Sequence, residues 1–160
     1  MQMQTIQRDE QQLVVFDLAD EGYGVDISAV REIIRLQEIT HVPRTPEFVE
    51  GVINLRGKVI PVIDLRKRFG LAVEAESQDN RIVVVDIGDQ DIGVVVDAVT
   101  EVLRIPTDSV EPPASVITTA DSDYLLGIAK LDSRLIILLD LQKVLSVDEQ
   151  GALSEMDLTD

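Results

Sequence analysis

The sequence predicts a mainly β protein built from two repeated halves, each a small twisted barrel of about five strands. Three observations lead there. Val and Ile dominate an apolar fraction of 45%, whereas aromatic residues make up 3%, and β-branched side chains suit a pleated surface. A block near the N-terminus returns 69 residues later without a gap. A second block returns 76 residues later, in the same order.

The first block runs VVFDLADEGYGVDISAVREIIRL (14–36), and its copy runs VVVDIGDQDIGVVVDAVTEVLRI (83–105). Ten of the 23 positions are identical, among them Asp17/Asp86, Gly24/Gly93, Val30/Val99, Glu32/Glu101 and Arg35/Arg104. Each copy reads as a hairpin turning at ADEG or GDQD. The spacing of Val30, Ile33 and Ile34 then predicts a short helix over SAVREIIRL, with Ser28 as N-cap. Residues 39–42 read as a strand ahead of Pro43 and Pro46.

The second block, GVINLRGKVIPVIDLRK (51–67), aligns with GIAKLDSRLIILLDLQK (127–143). Two strands flank a turn, and Asp64 or Asp140 opens a helical turn. The offset grows because the second connector, through Pro112 and Pro113 to Asp123, is longer. The expected organisation is a mobile tail at 1–11, a first barrel at 12–71, a linker at 72–80, a second barrel at 81–146 and an acidic tail at 147–160.

Thirty acidic residues face 14 basic ones, for a net charge of −16. Such a surface repels phosphate backbones, which argues against nucleic-acid binding. The absence of cysteine excludes disulfides, thiolate metal sites and a cysteine nucleophile. The N-terminal residues lack the pattern of a signal peptide, and no apolar run reaches the length of a membrane helix. The chain is expected in the cytoplasm, without direct membrane contact.

Catalytic and metal-binding patterns are weak. GVINLRGK has five residues between its glycines and no Ser or Thr after Lys58, so it reads as a β-turn rather than a phosphate-binding loop. His41 is the sole histidine and has no nucleophile elbow to serve. Pairs such as Asp89/Asp91 and Asp121/Asp123 arise easily by chance in so acidic a chain, and the first falls in a hairpin turn lacking the glycine and distal glutamate of a calcium loop. No catalytic residue, metal or cofactor is expected.

The halves differ in kind at one turn. Arg56-Gly57 stands where the second copy has Asp132-Ser133. Gly57 fits a turn requiring positive φ or a close backbone approach. Glu32 and Arg56 are expected to pair, and only the first half is expected to make such a pair.

These residues also carry a family resemblance. FVEGVINLRGKVIPVIDLRKRFG (48–70), with YGVDISAVREII (23–34) before it and IGVVVDAVTEVL (92–103) after it, resembles the CheW family of chemotaxis adaptors. The resemblance spans residues 12–146 and implies two SH3-like five-stranded β-barrel subdomains with short helices. It implies a non-catalytic role, linking chemoreceptor cytoplasmic tips to the histidine kinase CheA in membrane-bound arrays. Matching receptor-binding positions are Ile27, Val30, Glu32, Gly51, Arg56 and Gly57. Matching positions for the kinase's regulatory domain are Ile39, Thr40, Val42 and Val59, with a pseudo-equivalent surface on the second barrel supporting rings.

The charge excess carries its own prediction. Self-repulsion among 30 acidic groups is relieved by screening. The melting temperature is expected to rise substantially between dilute buffer and molar potassium chloride; an unchanged value would remove the case for adaptation to salt.

Overall fold

The computed structural model describes residues 10–72, 74–112, 124–145 and 147–154. Eleven strands carry most of it: β1 (Glu10–Leu18), β2 (Glu21–Asp26), β3 (Val30–Arg35), β4 (Val49–Leu55), β5 (Lys58–Asp64), β6 (Arg81–Ile87), β7 (Gln90–Val96), β8 (Ala98–Pro106), β9 (Val110–Glu111), β10 (Leu125–Leu131) and β11 (Arg134–Leu139). Helix α1 (Leu65–Arg68) follows β5, and α2 (Val147–Ser154) lies near the C-terminus. The protein is mainly β, as the residue types require.

Two sheets form, and each draws on both repeats. The six-stranded sheet has the order β8-β1-β2-β11-β10-β9, and the five-stranded sheet has the order β3-β6-β7-β5-β4. Under the repeat these orders are the same, with β8, β1, β2, β11 and β10 corresponding to β3, β6, β7, β5 and β4. The registers agree residue by residue. Gly24 pairs with Leu138 as Gly93 pairs with Val62, in parallel ladders. Val14 pairs with Val102 as Val83 pairs with Ile33, in antiparallel ones. The opening hairpin of each repeat has therefore changed places with its counterpart. The spans 12–71 and 81–146 mark the repeats, but not the sheets.

This exchange explains the unbroken apolar runs in β1 and β6. Leu13 and Val15 enter a core inside the six-stranded sheet, with Ile105, Ala129, Ile136 and Leu138. Ile82 and Val84 enter the corresponding core of the five-stranded sheet, with Ile53, Ile60 and Val62. Alternate residues on the same strands (Val14, Phe16 and Leu18, or Val83, Val85 and Ile87) enter a third core shared by both sheets. A strand covered on both faces has no polar side to alternate with. All five aromatic residues join or adjoin that shared core; Phe16 stacks on Tyr23 at 5.9 Å and Phe69 on Tyr124 at 4.9 Å.

The helix expected over SAVREIIRL is not formed. Ile27–Ala29 makes one 3-10 turn, capped by Asp26 rather than Ser28, and Val30–Arg35 is strand β3. A bulge at Arg31 misled the periodicity. Val30 pairs with Val85 and Ile33 with Val83, so the bulge sets residues three apart on one face of the strand; Val30 packs against the shared core, while Ile33 stays exposed. Thr100 occupies the equivalent bulge in β8.

The strand expected at 39–42 is reduced to a bridge between Thr40 and Val52. Asp64 and Asp140 do open helical turns, accepting from the backbone N–H of Arg66 and Gln142. The expected tail at 147–160 is helical to Ser154, with Leu153 buried in the shared core. Gln150 of α2 donates to the carbonyls of Gln142 and Leu145, and accepts at its own carbonyl from Gln90. Residues 10 and 11 belong to β1, while 1–9, the Asp121/Asp123 pair and 155–160 lie outside the described residues.

Asp97, between β7 and β8, ties the crossing from one sheet to the other. Its carboxylate takes a two-pronged contact from buried Arg66, at 2.8 and 2.6 Å, and accepts from the Ala19 N–H at 2.8 Å. Arg66 also donates to the Ala72 carbonyl at 2.6 Å, holding the start of the linker. The Arg66 contacts and the Ala19 bond outweigh partial burial and hold the Asp97 carboxyl below its ordinary value. A depressed carboxylate stabilises the fold above the unfolded value of about 3.9 and loses that contribution as pH falls through the folded value. Asp97→Asn should therefore cost about 2–3 kcal/mol at pH 7, and its deficit relative to the parent should shrink below about pH 4. Asp64 is shifted upward, chiefly by burial, so the measurement is the difference between paired urea titrations across pH.

Candidate functional site

The β4–β5 turn is built by two residues of positive φ, Arg56 at 54° and Gly57 at 86°. That combination makes the mirror-image turn whose twist suits a two-residue hairpin. Asn54 fixes it by accepting from the Gly57 N–H at 2.8 Å. The turn places Arg56 at the strand tip, where its side chain is 69% exposed.

Arg56 donates through Nη2 to Glu32 Oε2, as the sequence led us to expect. Glu32 holds the guanidinium firmly in its charged form. Glu32 sits on β3, opposite Val84, at one edge of the five-stranded sheet, while β4 forms the other edge. The ion pair therefore draws two edges of one curled sheet together. Further along the same seam, Gln37 donates to the Asn54 carbonyl at 3.1 Å, and Thr40 and Val52 exchange backbone bonds at 2.8 and 2.9 Å.

The second half makes an equivalent pair, contrary to expectation. Glu101 accepts from Arg134, the residue aligned with Lys58, rather than facing Asp132 alone. The sequence comparison went astray by examining only the turn position. Two residues beyond Asp132, Arg134 reaches the equivalent carboxylate. What distinguishes the first half is a cation on the turn itself.

The receptor-side positions are only partly gathered. Glu32, Arg56 and Gly57 lie together at the β3 and β4–β5 seam. Ile27 and Val30 lead into Glu32 along the chain, but pack half-buried against the shared core. Gly51 is buried and has φ +144°; a Cβ there would lie 2.0 Å from the Thr40 carbonyl oxygen. Its contacts are thus with the other predicted set.

Of that set, Ile39, Thr40 and Val42 form one stretch lying on β4. Thr40 is exposed, whereas Ile39 and Val42 are half-buried. Val59 lines a separate recess with Arg31, Lys58, Pro61 and Asp91. There Asp91 accepts from Lys58 at 3.0 Å and Arg31 at 3.1 Å, while Arg31 also reaches Asp86 at 3.1 Å. Burial works to raise Asp91, but these two cations prevail and lower it. This charged network was missed because its members are far apart in sequence. Asp91 is thus engaged by two cations, and His41 lies exposed between Thr40 and Val42. Among the described residues no group of His, Cys, Asp and Glu could hold a metal ion.

Gly51→Ala tests the seam. The added methyl must displace Thr40, so a loss of about 2–4 kcal/mol is expected by chemical denaturation. Faster amide exchange at Thr40 and Val52 should accompany it; unchanged exchange there would show that the segment is not held by this approach.

Residues 12–149 match the family model described as the CheW-like domain. The chain is 36% identical over 141 residues to chemotaxis protein CheW of Klebsiella aerogenes, spanning 88% of this chain and 85% of that protein. It is 36% identical over 153 residues to CheW of Treponema pallidum, spanning 92% and 90%. The crystal structure of scaffolding protein TtCheW from Thermoanaerobacter tengcongensis is similar at a TM-score of 0.81 and 48% identity, covering 88% of this chain and 96% of that one. A shared fold, a match along nearly the whole length and the EGVINLRG turn at the sheet seam agree, and the chain belongs to the CheW-like domain family of chemotaxis scaffold proteins.

Proposed function

We propose that this chain is a non-catalytic adaptor coupling the cytoplasmic tips of chemoreceptors to the histidine kinase CheA. The observation that carries the reading is Arg56, held exposed on a rigid turn by Glu32 and Asn54. Only one of its nitrogens engages Glu32, which leaves the rest of the planar fork for an incoming helix. A receptor helical hairpin would meet Glu32, Arg56 and Gly57 and extend towards Ile27 and Val30. Apolar area would supply affinity, and the charge would set register.

The kinase's regulatory domain would meet Ile39, Thr40 and Val42, on the segment that Gly51 seats against β4. Val59 would serve as a separate contact. The repeated architecture supports a corresponding surface on the six-stranded sheet, as ring assembly requires. Relatives named as scaffolding or chemotaxis proteins support a role without catalysis. Among the described residues no helix is long and apolar enough to cross a membrane, and recruitment to an array from the cytoplasm fits the proposed partners.

Arg56→Ala should leave the thermal melt nearly unchanged while weakening binding to a receptor cytoplasmic fragment tenfold or more. Arg56→Lys should restore binding incompletely, because an ammonium lacks the fork. Melts and titrations on the same purified variants check this. A folded Arg56→Ala protein with parental affinity would remove Arg56 from the receptor face.

A further inference from the structure

The antiparallel register of β3 and β6 sets Arg35 directly opposite Arg81. Directly opposed residues project from the same face of a sheet, and like charges so placed destabilise it. The placement is unexpected in a chain with 30 acidic residues available to 14 basic ones. Nine of the described cations have a carboxylate within 4.0 Å. Neither Arg35 nor Arg81 has one among the described residues.

Arg81 is nevertheless held in place. Its Nη1 donates to the carbonyls of Gln78 and Asn80, both at 2.8 Å, leaving Nε and Nη2 unengaged among the described residues. Arg35 and Arg81 share a recess with Leu36 and residues 76–80. The other repeat arranges the same place differently. Arg104, aligned with Arg35, stands opposite Gln12 rather than a second arginine, and it has Glu10 for a partner. Among the described residues, the five-stranded sheet sets two cations opposite each other with no carboxylate within 4.0 Å of either.

We propose that Arg35 and Arg81 form a receptacle for a carboxylate on a docked protein partner, each guanidinium donating to it. Glu76 and Asp79 line the same recess, which favours a single carboxylate presented at fixed geometry by a docked protein over a diffuse polyanion such as nucleic acid. Leu36 leads directly into Ile39, Thr40 and Val42, which makes the kinase's regulatory domain the occupant. The inference rests on the adaptor reading and adds a specificity contact to it.

Arg35→Glu separates this role from a structural one. The new carboxylate would face Arg81 and relieve the repulsion, so the melting temperature should stay equal or rise. Affinity for a purified CheA-type regulatory domain should nevertheless fall at least tenfold, while binding to a receptor fragment stays unchanged. Arg35→Gln should show a smaller loss, and the salt dependence of kinase-domain binding should weaken in both variants. If Arg35→Glu binds the kinase domain like the parent while both proteins bind receptor, the receptacle is wrong and the adaptor reading stands. A parent protein that binds neither partner overturns both.

Discussion

The two sheets are held together by an exchange. Each contains the opening hairpin of the other repeat, and both β1 and β6 are apolar on two faces because each serves two cores. Separating the sheets would expose the shared core and leave strands without partners, at the free-energy cost of baring a large apolar surface. The aromatic side chains, few as they are, concentrate at that junction. Everything on the surface is positioned by this arrangement, since the strand edges can be no better fixed than the sheets they end.

The exchange leaves crossing points where the chain passes between sheets, and polar side chains secure them differently in the two halves. At one, Asp97 gathers Arg66 and the Ala19 N–H. At the equivalent place, Gln142 accepts from the Gly88 N–H and donates to the Asp86 carbonyl, and Gln150 of α2 braces Gln142. A charged clasp and an amide clasp thus do the same mechanical work. The repeat retained the geometry of the sheets while its polar chemistry diverged.

The two halves also diverge at their hairpin tips. In each sheet an arginine–glutamate pair ties a hairpin end to the β3 or β8 edge, but Arg56 sits on its turn whereas Arg134 begins its strand. The first arrangement projects a cation beyond the sheet. The second places Asp132 at the tip instead. The two sheets consequently present hairpin tips of opposite charge.

Much of this was legible in the chain itself. The mainly β class followed from Val and Ile content, the duplication from a gap-free match, and the Arg56-Gly57 turn with its Glu32 partner from residue type and spacing. These are local properties, set by side-chain shape and backbone φ, φ being the one that Gly57 answers. The exchange of hairpins was not legible, because adjacent repeats of identical pattern satisfy the same strand registers whether paired within a copy or between copies. Nor was β3, where the bulge at Arg31 imitated helical spacing, nor α2, whose burial depends on a core assembled elsewhere. Pairing Glu101 with Arg134, Asp97 with Arg66, and Asp91 with Lys58 and Arg31 required strands distant in sequence to lie side by side. Sequence determined what each segment could become; only the closing of two sheets around a common core decided which segments would meet.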